Sequence, residues 1–200
     1  MTKRTTSGFT LLELIMAFTL VGIVVYKAQG AMRSASEGIR DETKRAMVED
    51  QARRVLRQVG FAVMGSDRSS LLPVNEGFSS ENIRYRVNLG VNEGEVVWSD
   101  REMVAMDTDR LNVYWAENPD ESREKKVVWS KLVAPFLEGE ILNGVDDNDN
   151  GLVDEKGLSF VIDGNAVTIR LTLQLPMDEN NTLLQTVETT VTCRNLDEEE

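Results

Sequence analysis

Residues 8–26 read GFTLLELIMAFTLVGIVVY, and this stretch decides the fold. From Phe9 to Tyr26 the chain has eighteen residues, of which only Glu13 is charged. At about 1.5 Å per residue they make roughly 27 Å of helix, close to the thickness of a bilayer core. Lys3 and Arg4 precede the run, which favours a cytoplasmic N-terminus. We therefore predict a membrane-spanning helix over residues 9–26.

Three interpretations of this apolar run compete. A secretory signal peptide would have the basic start, the apolar core and a cleavage site at Ala28-x-Gly30. A plain membrane anchor would need only an apolar run long enough to span the bilayer. Neither explains Glu13, because a carboxylate inside a membrane helix costs about 2.5–3.5 kcal/mol on insertion scales and therefore usually has a function and a partner.

The third interpretation explains Glu13. The hexapeptide GFTLLE of residues 8–13, followed by the apolar run, resembles the class III signal of type IV prepilins and pseudopilins. The resemblance implies that a prepilin peptidase removes leader residues 1–8 by cutting between Gly8 and Phe9, and that Phe9 is then N-methylated. It also implies that Glu13 meets the N-terminal amine of a neighbouring subunit, a charge pair worth making only where two subunits lie side by side. Many major pilins have a proline where this chain has Gly30, so the departure favours a minor subunit.

Beyond Tyr26 the chain turns polar but keeps helical patterning. We predict one helix over residues 9–64, with an apolar stripe on its second half formed by Val48, Ala52, Val55, Leu56, Val59, Ala62 and Val63. The alternative is two helices broken at Gly30 or Gly38. The segment RRVLRQVGFAVMG, residues 53–65, resembles the helix end of PilW-type minor pilins and of J-class minor pseudopilins of type II secretion.

Residues 65–200 are predicted to form a β-rich domain. The period changes to two along residues 83–91 and again along 167–175, which indicates strands with one buried face. Hairpins are predicted at Asp163-Gly164 and at residues 178–181. Further strands are expected at residues 95–98, 103–106, 111–115, 127–133, 158–162 and 184–193. The expected fold class is α+β, pilin-like, with the second half of the helix packed on an antiparallel sheet.

An acidic loop at residues 146–155 has the spacing of a calcium site. Oxygen-bearing residues alternate and a glycine, Gly151, follows at the sixth position, as at the start of an EF-hand loop. The twelfth position is Gly157 instead of glutamate, so Glu155 would have to substitute. Hard oxygen donors favour a structural Ca²⁺; the alternative is a solvated acidic turn. The predicted ligands are Asp146, Asn148, Asn150, the Leu152 carbonyl, Asp154 and Glu155.

Composition narrows the function. The formal net charge of −12 disfavours nucleic acid as a partner, and the absence of histidine removes the commonest general base. One cysteine forms no internal disulfide. We expect a non-enzymatic minor pilin or pseudopilin, anchored in the inner membrane with a periplasmic domain and an acidic tail at residues 196–200, whose partners are the peptidase and other subunits. The alternatives are a calcium-dependent binding module or adhesin displayed on a pilus, and, less favoured, a secreted enzyme.

Overall fold

A computed structural model describes residues 10–73, 77–178 and 181–193. Contacts divide the chain into two units, Met1–Lys44 and Arg45–Glu200. The longest element is a single α-helix, α1 (Leu11–Met64), which continues through Gly30 and Gly38 without a break. The prediction of one helix is confirmed, and the alternative of two is wrong. From residue 10 to residue 43 every side chain on it is exposed.

The described part of the second unit contains the last turns of α1 and ten strands. Two four-stranded antiparallel sheets have the orders β1-β8-β9-β10 and β2-β5-β6-β7, and β3 and β4 form a separate two-stranded ribbon. The strands are β1 (Ser79–Ser80), β2 (Asn82–Tyr85), β3 (Asn88–Asn92), β4 (Glu95–Trp98), β5 (Glu102–Asp107), β6 (Asn112–Glu117), β7 (Lys125–Ser130), β8 (Leu158–Asp163), β9 (Ala166–Asp178) and β10 (Asn181–Thr192).

The core of this unit forms where the helical stripe meets the sheets. Six of the seven predicted stripe residues are buried, and Ala62 is half-buried. They pack in one cluster with alternate residues of β8 and β9, such as Phe160, Ile169 and Leu171. Burying each such side chain contributes about 1.5–3 kcal/mol. The fold is therefore α+β, with a long N-terminal helix packed on antiparallel sheets.

The predicted strand over residues 83–91 is wrong, because the chain leaves its sheet halfway along it. Ile83 is buried in β2, which pairs with β5, whereas Leu89 and Val91 are 65% and 68% exposed on the ribbon. Between the two strands, the N–H groups of residues 86 and 87 donate to the hydroxyls of Ser70 and Ser99. Side-chain acceptors thus replace the sheet partners and end the pairing.

The strand pairing agrees with both predicted hairpins. Gly164 and Asn165 connect β8 to β9, with Gly164 at a φ of +54°, a conformation that favours glycine. Strands β9 and β10 pair antiparallel from Asp178 opposite Asn181 onward, and the turn itself lies outside the described residues.

Candidate functional site

The N-terminal end of helix α1 is capped by the side chains of Thr10 and Glu13. The Glu13 Oε2 accepts from the Thr10 backbone N–H at 2.9 Å, while the Glu13 N–H donates to Thr10 Oγ1 at 3.3 Å. This reciprocal arrangement is a capping box, and the T-x-x-E spacing that forms it went unused in the sequence analysis. Glu13 therefore has an intrahelical partner. The predicted cleavage residues Gly8 and Phe9 lie outside the described residues.

The surface of this helical segment is apolar on all sides. Within the part of the chain that the structure describes, α1 is the one helix long and apolar enough to cross a membrane, and no residue of its apolar stretch is buried. A membrane anchor and a signal sequence both fit these properties. The large apolar side chains between Leu11 and Tyr26 are each about half or more exposed. They are therefore free to contact lipid or another chain.

The acidic loop lies in the connection between β7 and β8, which is held at both ends. The Leu137 N–H donates to the Glu155 carbonyl at 3.0 Å, and the Gly157 N–H donates to the Pro135 carbonyl at 3.3 Å. A Cβ at residue 157 would lie 1.9 Å from the Ala134 carbonyl oxygen, so only glycine fits. That residue is the twelfth loop position, and a complete EF-hand loop is therefore sterically excluded.

A buried glutamate that the sequence analysis missed organises the loop from inside. Glu140 is 5% exposed. Its Oε1 accepts from the backbone N–H groups of Asp147 and Asn148, both at 3.2 Å, and its Oε2 accepts from the Asp154 N–H at 3.0 Å. Three backbone donors on one carboxylate hold the two halves of the loop together, since hydrogen bonds to a charged group are stronger than neutral ones.

The structure brings three predicted ligands to one turn. The Oδ1 atoms of Asp146 and Asn148 both lie 3.1 Å from the same donor, the Asn150 backbone nitrogen. Asp146 Oδ2 also accepts from the Gly151 N–H at 2.7 Å, and Asn150 Oδ1 accepts from the Leu152 N–H at 2.9 Å. The side-chain oxygens thus face inward, toward backbone donors. Among the described residues, no group of three or more His, Cys, Asp or Glu side chains is placed to hold a metal ion.

Two further predicted ligands, Asp154 and Glu155, stabilise the loop in other ways. Asp154 accepts from the backbone N–H groups of Asn143 and Gly144 at 2.8 and 3.0 Å, and these bonds lower the pKa of its carboxyl. Glu155, with a fully buried side chain, pairs with Arg170 at 3.1 Å and accepts from the Ser159 hydroxyl at 3.0 Å.

Arg170 is the second residue that the sequence analysis missed. Its guanidinium, on β9, also pairs with Glu188 on β10 at 2.6 Å. Burying a carboxylate without a cation is costly, so Arg170 is what allows Glu155 to sit inside the domain. The pair fastens the end of the acidic loop to the β8-β9-β10 sheet.

Comparisons with known proteins assign no family, since no family model, no curated protein and no solved structure matches the chain. What defines its class is therefore the fold itself, a long apolar N-terminal helix packed on antiparallel sheets.

Proposed function

We propose that this chain is a structural subunit of a type IV pilin-like filament, a minor pilin or pseudopilin processed by a prepilin peptidase between Gly8 and Phe9. One observation carries the proposal: an apolar, wholly exposed helical segment bears a single carboxylate, Glu13, at a fixed distance after that Gly-Phe step. A helix from the core of a soluble domain would be covered by other elements, whereas this one is exposed. A plain membrane anchor would not need a charged residue at position 13.

The geometry at the helix start leaves room for the subunit contact that this function needs. Both hydrogen bonds that Glu13 accepts from Thr10 end on Oε2, so Oε1 can accept from the N-terminal amine of a neighbouring subunit. A carboxylate in an apolar environment gains from such a cation and loses without it. In this proposal the apolar helical surface packs first against inner-membrane lipid and then against other subunits, with the sheet-containing unit in the periplasm.

Calcium belongs to the proposal as a structural brace of the acidic loop. Asp146, Asn148 and Asn150 would supply side-chain oxygens, Leu152 its carbonyl, and Asp154 a carboxylate. The Glu155 carboxylate is already engaged by Arg170. We expect a site of weak affinity, filled at the millimolar calcium of an extracytoplasmic space.

The processing step is tested by co-expressing the full chain with a prepilin peptidase and measuring the mature mass. We expect an N-terminus at Phe9 carrying one additional methyl group. Cleavage after Gly30 would instead identify a secretory signal and overturn the proposal.

Assembly is tested with two variants that separate charge from capping. Glu13→Gln keeps the capping box, because glutamine also closes it, but removes the charge. Thr10→Ala removes the cap and keeps the charge. We expect both proteins to be cleaved, and assembly into filaments to be lost only in Glu13→Gln. Loss in Thr10→Ala alone would make Glu13 a capping residue and contradict the pairing role.

A further inference from the structure

A cleft on the second unit contains two arginines that face each other across the end of a strand pair. Strands β2 and β5 pair antiparallel up to Tyr85 opposite Glu102, so Arg86 and Arg101 occupy the next facing positions of the same register. Both are exposed, line the same cleft and form no ion pair with any described residue. Like charges at facing positions of two strands destabilise the pairing, so the two guanidinium groups favour an anionic ligand. Two further arginines of the cleft are already in ion pairs, and these are Arg84–Asp120 and Arg123–Glu121.

Backbone hydrogen bonds fix the two arginines at the edge of the cleft. The Arg86 N–H donates to the Ser70 hydroxyl at 3.1 Å, and the Arg86 carbonyl accepts from the Asp67 N–H at 3.4 Å. The Arg101 carbonyl accepts from the Asn118 N–H at 2.9 Å. Both guanidinium groups therefore extend from a backbone that is held in place, and this pre-organisation limits the entropic cost of binding.

An aromatic ring and a carboxylate complete the cleft. Half-buried Trp98 lines it together with both arginines. Asp100 also lines it and accepts from the Asn118 side-chain amide at 3.1 Å through Oδ2, while its Oδ1 has no partner among the described residues. The volume of the cleft is about 380 Å³, within the range of about 300–1,000 Å³ that is typical of small-ligand sites. The cleft thus offers two cations, a hydrogen-bond acceptor and an aromatic surface to one ligand.

These groups together fit an acidic sugar better than an acidic peptide. A guanidinium binds a carboxylate through two parallel hydrogen bonds, and the apolar face of a sugar ring packs on an aromatic ring. Asp100 would repel a run of peptide carboxylates, whereas it can accept from a sugar hydroxyl. We propose that Arg86, Arg101 and Trp98 form a binding site for oligosaccharides that contain uronate, with the guanidinium groups on a ring carboxylate and the indole against a ring. This binding function goes beyond the filament function proposed above and does not depend on it.

The experiment is a calorimetric titration of the full chain, in a detergent without sugar headgroups, with trisaccharides of galacturonate, guluronate and mannuronate. Chelator is present, so that calcium cannot bridge the sugar to the acidic loop. The matched control ligand is the methyl ester of each trisaccharide, which keeps the rings and hydroxyls but removes the charges. We expect at least one trisaccharide to bind with a dissociation constant below about 5 mM, and its methyl ester to bind at least tenfold more weakly.

Variants of the cleft separate specific binding from a general attraction of charges. Arg86→Gln and Arg101→Gln should each weaken binding at least tenfold, because each removes charge-assisted hydrogen bonds. Trp98→Ala should weaken it by loss of the aromatic surface, and Trp98→Phe should retain most of the affinity. Arg53→Gln with Arg54→Gln is the matched control, two exposed arginines on α1 whose loss should leave the dissociation constant unchanged.

Several results would overturn the proposal. One is that none of the three trisaccharides binds at about 5 mM, or that the methyl esters bind equally well. Another is an affinity that neither Arg86→Gln nor Arg101→Gln changes, in variants whose urea midpoint matches that of the parent protein. Tetraglutamate or a thymidine tetranucleotide binding as tightly as the best trisaccharide would instead make the cleft a site for acidic peptide or nucleic acid.

Discussion

Replacing Arg170 by methionine tests the role of the buried pair that fastens the acidic loop. The substitution keeps a long, flexible side chain but leaves the fully buried Glu155 without its cation. Breaking a buried pair from one side costs about 3–5 kcal/mol. Arg170 is 20% exposed, so water reaches the site, and the Ser159 hydroxyl still donates to Glu155. We therefore expect Arg170→Met to lower the free energy of unfolding by about 3 kcal/mol.

The second pair of Arg170 adds little to this figure. Glu188 is half exposed, and pairs of that kind contribute about 0.2–1 kcal/mol. Glu188→Gln is thus the matched control, and it should lower the free energy of unfolding by less than about 1 kcal/mol. The difference in free energy of unfolding between Arg170→Met and Glu188→Gln therefore measures the cost of leaving the Glu155 carboxylate buried without a cation.

The assay is urea unfolding of the full chain in detergent, followed by tryptophan fluorescence. All three tryptophans lie in the second unit, at residues 98, 115 and 129, so the fluorescence reports on that unit. With a denaturant slope of about 1.5–3 kcal/mol per molar, a loss of about 3 kcal/mol moves the midpoint down by about 1–2 M urea.

A double variant completes the test. Methionine at both positions 155 and 170 removes the charge together with its partner, and should recover most of the loss. The reasoning is refuted if Arg170→Met unfolds within about 0.5 kcal/mol of the parent protein, a change no larger than that of an ordinary surface substitution. It is equally refuted if the double variant is no more stable than Arg170→Met.

Three further predictions concern the stability of the same unit, two of them measured by urea unfolding and one by thermal melting. Gly157→Ala should lower stability by about 3 kcal/mol or more, since its Cβ meets the Ala134 carbonyl oxygen and backbone must shift; a loss below about 1 kcal/mol would contradict the close approach. Chelator should lower the melting temperature of the parent protein relative to millimolar calcium, and Asp146→Ala should abolish that difference; no shift would leave the loop a metal-free turn. Tyr85→Phe should be neutral or stabilising by up to about 1 kcal/mol, because the buried Tyr85 hydroxyl meets no hydrogen-bond partner among the residues that the structure describes; a clear loss of stability would show that it forms one.

The sequence predicted the elements of the fold better than their assembly. The stripe from Val48 to Val63 defined the buried helix face, because helical periodicity is a local property. Alternation along residues 83–91 predicted extended structure correctly but assigned it to one strand. The break after Tyr85 depends on hydroxyls at Ser70 and Ser99, more than ten residues away on either side. Hydrogen bonds between residues so far apart in the sequence cannot be inferred from a local pattern of apolar and polar residues.

The same division holds for the acidic loop. The spacing of Asp146, Asn148 and Asn150 predicted a calcium site, and in the structure the side chains of Asp146 and Asn148 converge on the Asn150 backbone nitrogen. Glu140 and Arg170 escaped notice because each reaches the loop through tertiary contacts, and neither belongs to the ligand pattern. A buried glutamate is informative only once its burial is known.

Calcium can contribute only part of the stability of the loop, because weak binding limits its effect and other contacts already hold the loop. A ligand that binds only the folded state stabilises it by about 2.7 kcal/mol at a concentration 100 times its dissociation constant, and by less for a site that millimolar calcium only partly fills. The Glu155–Arg170 pair and the three backbone donors on Glu140 hold the loop whether or not a cation is present. Removing calcium should therefore destabilise the protein less than Arg170→Met does. Were chelation the more damaging of the two, the cation would be the main support of the loop, and the carboxylates now bonded to backbone N–H groups would have to rearrange around it.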